Sequence, residues 1–127
     1  MALPKHCPIE NALKRIGKKW TINVLRDMFR GKKRFKDFLA ANPKLSTKML
    51  SLRLKEMERD GLIEKQIVEK SPVLIEYHLT EKGKHLNKVL YELYYFSLEQ
   101  YPEEIFDTVP KRKNEALEKA KAAFNIN

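Results

Sequence analysis

The chain has 127 residues, with 26 Lys plus Arg against 17 Asp plus Glu for a net charge of +9, 43% hydrophobic residues and a single Cys. That length suits one domain burying roughly two thirds of its unfolded surface, and the hydrophobic fraction excludes a disordered chain. One Cys excludes an internal disulfide framework or a Cys-rich zinc site, and no apolar run nears the roughly 18 residues of a membrane span.

The opening MALPKHCPIE holds no apolar stretch of signal-peptide length. A soluble, cytoplasmic protein with no membrane partner is therefore expected. Pro8 to Ile16 predicts a first helix, with Pro8 at its first position, Glu10 at its positive end, and Ile9, Leu13 and Ile16 on one face. Gly17 breaks it. Lys19 to Phe29 predicts a second helix with Trp20, Val24, Leu25 and Met28 inward, ended by Gly31. Lys32, Lys33 and Arg34 follow. Phe35 to Ala41 predicts a third helix, closed by the turn Asn42-Pro43. Ser46 is read as the N-cap of a fourth helix that ends near Asp60-Gly61.

Leu62 to Glu69 and Val73 to Leu79 predict a hairpin turning at Lys70-Ser71-Pro72, with Val73, Ile75, Tyr77 and Leu79 on one face. Thr80 caps one long helix from Glu81 to about Tyr101, ended by Pro102, and a last helix spans about Lys111 to Phe124 with Leu117, Ala120 and Phe124 on a stripe. The fold class read from this order is mainly α with a β-hairpin wing. Helices, a turn, another helix and then a hairpin make a winged helix-turn-helix.

The charge is uneven. Residues 1–35 carry ten basic and two acidic side chains, a net +8; residues 36–70 carry +2 and residues 71–127 carry −1. A basic N-terminal half points to a polyanion such as nucleic acid, or to a plain solvated surface. On the fourth helix, Leu50, Leu54 and Met57 share one face, and the opposite face collects Lys48, Ser51, Leu52, Lys55 and Arg59. A helix of this width fits a major groove. Ser46, Thr47, Lys48 and Ser51 are the candidates for base contact, and Leu52 for a thymine methyl. Lys55 and Arg59 are candidates for phosphate contact, and Lys70 is the candidate at the wing.

The stretches CPIENALKRIGKKWTINVLRDMFRGKKRF, LSTKMLSLRLKEMERDGLIEK and IEYHLTEKGKHL, covering roughly Cys7 to Leu86, closely resemble the HxlR-type winged helix-turn-helix regulators, relatives of the MarR-type regulators. The resemblance rests on Cys7-Pro8, Gly17-Lys18-Lys19-Trp20, Arg34-Phe35, Leu50 and Leu54 with Asp60-Gly61-Leu62, and Glu76-Tyr77 with Leu79-Thr80 and Gly83. It implies a homodimer on double-stranded DNA, with Ser46 to Asp60 as the recognition helix and Leu62 to Leu79 as the wing; Arg34 is a further DNA-binding candidate. It also implies N- and C-terminal dimerisation helices. Residues 1–127 are then a single domain, with a DNA-binding part of about 17–80 and dimerisation elements of about 7–16 and 81–125.

The candidate dimer residues are Ile9, Leu13, Leu86, Leu90, Leu93, Tyr94, Phe96, Leu117 and Phe124. So much apolar surface on one helix marks an interface, or is covered when the last helix folds back within the chain. A two-fold dimer presents its recognition helices about 34 Å apart to a pseudo-palindromic operator.

Cys7 lies at a predicted helix start beside Lys5 and His6, where the helix dipole and the cations favour thiolate. Several members of the resembled family sense oxidants or electrophiles through a Cys at this place. The alternative is a small residue packed at the seam or capping the helix. With one Cys, the available chemistry is a disulfide between two copies or with a small thiol. His6, His78 and His85 have no metal-ligand spacing, and no cofactor, metal or catalytic set is expected. The function read from these residues is a sequence-specific transcriptional regulator and not an enzyme. A small-ligand-responsive MarR-like regulator, an architectural DNA binder and a protein-binding winged helix are the competing readings.

Overall fold

The computed structural model describes residues 5–106 and 111–127. Met1–Pro4, part of the opening scanned for a signal peptide, and residues 107–110, part of the proposed dimerisation region, lie outside the described residues. The chain forms two compact units, residues 1–84 and 85–127.

The first unit begins with α1 (Pro8–Ile16), which has Pro8 in its first turn and Gly17 as its C-cap. α2 (Thr21–Phe29) opens two residues later than its hydrophobic spacing predicts. Trp20 stands at φ +80°, in the left-handed region, so it cannot continue a right-handed helix, and its ring is only half-buried. α3 (Phe35–Ala41) and α4 (Thr47–Arg59) follow as expected. The Ser46 side chain accepts a hydrogen bond from the Met49 N–H at 3.1 Å and so caps α4. The core is built from Val24, Leu25, Phe38, Leu50, Leu54, Met57 and Ile63, all nearly inaccessible.

β1 (Ile63–Lys70) and β2 (Val73–Leu79) form an antiparallel hairpin, turning through Ser71 and a cis Pro72. The register pairs Ile63 with Leu79, Lys65 with Tyr77 and Ile67 with Ile75, then slips between Ile67 and Glu69, the signature of a bulge at Val68. The expected one-sided burial of β2 is not found. Leu74 to Leu79 are uniformly half-buried and Val73 is exposed. β2 is bonded on both edges, to β1 and, through the Tyr77 N–H, to the Lys33 carbonyl at 2.7 Å, while α2 and α3 pack against it.

The expected continuous helix from Glu81 to Tyr101 is divided. α5 (Glu81–Lys84) is a single turn, and α6 (Asn87–Gln100) begins after a break at His85–Leu86. α5 is fastened to the hairpin base: Thr80 N–H donates to the Leu62 carbonyl at 3.1 Å, the Thr80 hydroxyl donates to the Gly61 carbonyl, and Gly83 N–H donates to that hydroxyl at 3.1 Å.

The second unit holds α6, a short α7 (Pro102–Ile105) that periodicity does not reveal, and α8 (Lys111–Ala123). α6 and α8 pack on each other, with Asn87 Nδ2 donating to the Phe124 carbonyl at 2.9 Å. No described helix is long and apolar enough to cross a membrane.

Candidate nucleic-acid interface

α4 separates its side chains by chemistry. Leu50, Leu54 and Met57 are buried, while Lys48, Leu52, Lys55 and Arg59 are exposed on the opposite side. Thr47 is also exposed at the first turn. The neighbouring candidates are placed differently. Ser46 already uses its hydroxyl oxygen as the helix cap. Ser51 is half-buried and lines a groove of about 230 Å³ between α4 and the hairpin, with Lys55, Glu58, Lys65 and Tyr77. Arg59 Nε lies 3.5 Å from the Asp60 carboxylate, an ion pair that a phosphate would have to displace. Arg34 is half-buried at the N-cap of α3, where its backbone N–H donates to Asp37 Oδ2 at 3.2 Å. Lys70 is exposed at the end of β1.

Two polar clusters behind this face escape the sequence reading. In the first, the buried Asn42 amide donates to Asp27 Oδ2 and to the Phe38 carbonyl, both at 2.8 Å, while Arg26 Nη2 donates to Asp27 Oδ1 at 2.8 Å and to Asn42 Oδ1 at 3.0 Å. This cluster locks α2 to the end of α3. Asp27 lies three residues after Val24 on the buried stripe of α2, a signal that the turn reading of Asn42-Pro43 passes over. In the second, Arg53 and Glu56 pair three residues apart along α4 at 2.9 Å.

On the hairpin, Glu76 Oε1 stands 2.9 Å from His78 Nε2, and Glu76 Oε2 stands 3.4 Å from Lys33 Nζ. The His78 hydrogen bond holds the Glu76 carboxyl below its ordinary value; partial burial opposes this and the Lys33 charge adds to it. The Tyr77 hydroxyl is pushed up by burial, and further by the Glu58 carboxylate. A cleft of about 490 Å³ next to these groups is lined by Met28, Lys32, Lys33, Glu64, His78 and Lys84, among others.

Cys7 is exposed and occupies the N-cap position of α1 without a side-chain capping bond. Of the dimer candidates, Ile9, Leu13, Leu93 and Phe96 are exposed, at 70%, 54%, 52% and 58%. Leu86, Tyr94 and Leu117 are half-buried. Leu90 and Phe124 are only 3% exposed. They belong to the apolar core of the chain where α6 and α8 pack, so they are withdrawn from the candidate dimer surface. Val89 joins Leu93 and Phe96 at helical spacing on the open side of α6.

Residues 15–105 match the model of the HxlR-like helix-turn-helix family. The chain is 43% identical over 84 residues to the HTH-type transcriptional regulator YdeP of Bacillus subtilis, covering 66% of each chain, so it spans just under two thirds of that relative's length. It is 40% identical over 88 residues to the HTH-type transcriptional regulator YodB of Bacillus subtilis, covering 68% of this chain and 79% of YodB. Among solved structures it is similar to the redox regulator HypR in its oxidised form, with a TM-score of 0.70 and 34% identity over 74% of this chain and 97% of that one.

Proposed function

Because the chain belongs to the HxlR-like helix-turn-helix family, we propose that it is a sequence-specific, DNA-binding transcriptional regulator acting in the cytoplasm as a homodimer on a pseudo-palindromic operator. The observation that carries this reading is the face of α4, where Lys48, Leu52 and Lys55 stand exposed opposite a buried Leu50–Leu54–Met57 side. Residues of about 17–80 supply the DNA-binding part. Thr47, Lys48 and Leu52 sit where base edges are read, Lys55 and Arg59 where phosphates are met, with Lys70 and Arg34 at the margins. The residues of about 7–16 and 81–125 supply the dimer, for which the open Val89–Leu93–Phe96 stripe and the exposed Ile9 and Leu13 are the support. The role needs binding alone and assigns no catalytic residue.

Selection from a pool of random duplexes tests the reading. An inverted repeat is expected, with affinity falling steeply as salt rises. Arg59→Ala is expected to weaken selected and random duplexes alike and to lower the salt slope by about 1. Lys48→Ala is expected to relax sequence preference by about 1–3 kcal/mol. Binding without preference would mark an architectural protein, and no binding at all would favour a protein-binding winged helix.

A second element of the proposal is a redox response, supported by the exposed Cys7 and the likeness to HypR. Diamide would take two hydrogens from two thiols, joining Cys7 to its counterpart in a second copy or to a small thiol. Treatment is expected to change operator affinity of the wild type and to leave Cys7→Ser unchanged. An equal response in both would remove Cys7 as the sensor and turn attention to a small-ligand effector.

A further inference from the structure

α4 has four cations, and one of them does not face outward. Lys48, Lys55 and Arg59 are exposed, but the Arg53 side chain is only 12% exposed and two of its guanidinium nitrogens bond within the chain. Arg53 Nε donates to the Lys19 carbonyl at 2.8 Å, and Arg53 Nη1 donates to Glu56 Oε1 at 2.9 Å. The second Glu56 oxygen takes Lys18 Nζ at 3.1 Å. The Arg fork thus grips a carbonyl 34 positions away in sequence and a carboxylate one turn along its own helix. The planar fork meets the two acceptors with separate nitrogens held in fixed geometry, which the single flexible ammonium of lysine does not supply.

What the fork grips is a turn with little freedom. Lys18 to Trp20 joins α1 to α2. Trp20 sits at φ +80° and ψ −15°, a backbone state costly for a bulky aromatic and kept only where the surroundings over-determine it. The Trp20 carbonyl accepts the Val24 N–H at 3.0 Å to start α2, and Lys19 Nζ lies 5.3 Å from the Trp20 ring centre. One side of the clamp is therefore a stiff turn built into the start of α2, and the other is the middle of α4.

Glu56 is otherwise out of place. It is an acid on a helix proposed to lie against a polyanion, with a side chain only 14% exposed. The paired charges of Arg53 and Lys18 offset it.

We infer that Arg53 and Glu56 are positioning residues for DNA readout: they clamp α4 to the Lys18–Trp20 turn and so set the pose in which Thr47, Lys48 and Leu52 meet base edges. Bidentate base contacts lose their value with small misplacements, whereas phosphate attraction is tolerant of them. The clamp therefore serves specificity more than affinity. This rests on α4 being the DNA-reading helix.

The test uses the full chain, a duplex selected by the wild type, and a random duplex, each titrated over a range of salt concentrations. Glu56→Gln is the decisive variant. On charge alone, removing an acid beside phosphates should tighten binding to both duplexes. The clamp instead predicts that Glu56→Gln and Arg53→Met each lose about tenfold or more on the selected duplex, change the random duplex by less than about threefold, and keep the wild-type salt slope. Glu56→Gln binding the selected duplex as tightly as the wild type would overturn the inference. So would Arg53→Met losing both affinities together with about one unit of salt slope, the mark of a direct phosphate contact.

Amide hydrogen exchange separates the clamp from the DNA reading. In both variants, amides of Thr21 and Val24 are expected to exchange faster together with those of Leu50 and Leu54, while the Phe124 amide stays at its wild-type rate. A wild type that selects no sequence overturns the DNA reading. In that event unchanged exchange in the variants overturns the clamp as well, and coupled acceleration keeps it as a structural tie between α2 and α4.

Discussion

Phe38→Ala is expected to lower the unfolding free energy of the first unit by about 3–5 kcal/mol, the range for deleting a fully buried Phe. For a unit of this size that corresponds to a fall in melting temperature on the order of 20 °C. Phe38 is completely inaccessible and lies in the helix that precedes the reading helix. Its ring meets Tyr77 of β2 edge-on at 6.5 Å, tying α3 to the hairpin. Its carbonyl accepts the Asn42 amide at 2.8 Å, so the same residue anchors the cluster that locks α2 to α3. Truncation leaves that backbone bond in place and removes the ring's packing and its contact with Tyr77. The single tryptophan, Trp20, lies in the same unit, so its fluorescence during urea unfolding reports that unit. Phe38→Leu keeps most of the volume and is expected to cost less than about 2 kcal/mol. A loss below about 1 kcal/mol for Phe38→Ala would show that the site collapses around the vacancy and that Phe38 is not the hub.

The helices whose limits are legible in the sequence are those with a local stop signal. Pro8 and Gly17 bound α1, and Ser46 with Asp60-Gly61 bounds α4, because caps act through the nearest backbone groups. The hairpin is legible for the same reason, from strand spacing and the Ser71-Pro72 turn. Its burial is not: a period of two predicts which side chains share a face, but not that Lys33 would bond the far edge of β2 and helices would lie against it. The break at His85–Leu86 has no local signal either. Glu81 to Gln100 keeps good helical spacing, and what divides it is the fastening of its first turn to Gly61 and Leu62.

In the candidate site, the outward cations of α4 are legible because they depend only on the helical period. The internal use of Arg53 is not, since its partner carbonyl is 34 positions away. Leu90 and Phe124 carry the same apolar signal as Leu93 and Phe96. Only the packing of α6 on α8 separates the residues already covered from those left open.

Gly83→Ala is expected to destabilise the first unit by about 2–3 kcal/mol, although alanine favours a helix over glycine by nearly 1 kcal/mol. A Cβ at this position would lie 2.0 Å from the Leu62 carbonyl oxygen and 3.2 Å from Leu79 Cδ2. The obstacle is backbone, and it is held: the Leu62 carbonyl accepts the Thr80 N–H, and the Thr80 hydroxyl joins Gly61 to the Gly83 N–H. Making room means moving α5 off the hairpin or pulling Leu62 away, and either breaks these bonds at the base of the wing. Gly61→Ala gives the contrast. Gly61 needs its positive φ of +77°, yet a Cβ there meets only the flexible end of Lys82, at 3.3 Å. Its cost is the backbone conformation alone, roughly 1 kcal/mol. Urea unfolding of both variants is expected to rank Gly83→Ala as the worse. If Gly61→Ala proves equally or more damaging, the close approach of α5 to Leu62 is not what holds the hairpin base. With the ranking as expected, Gly83→Ala should also weaken binding to a selected operator at temperatures where the protein stays folded, because the displaced base carries Lys70 with it.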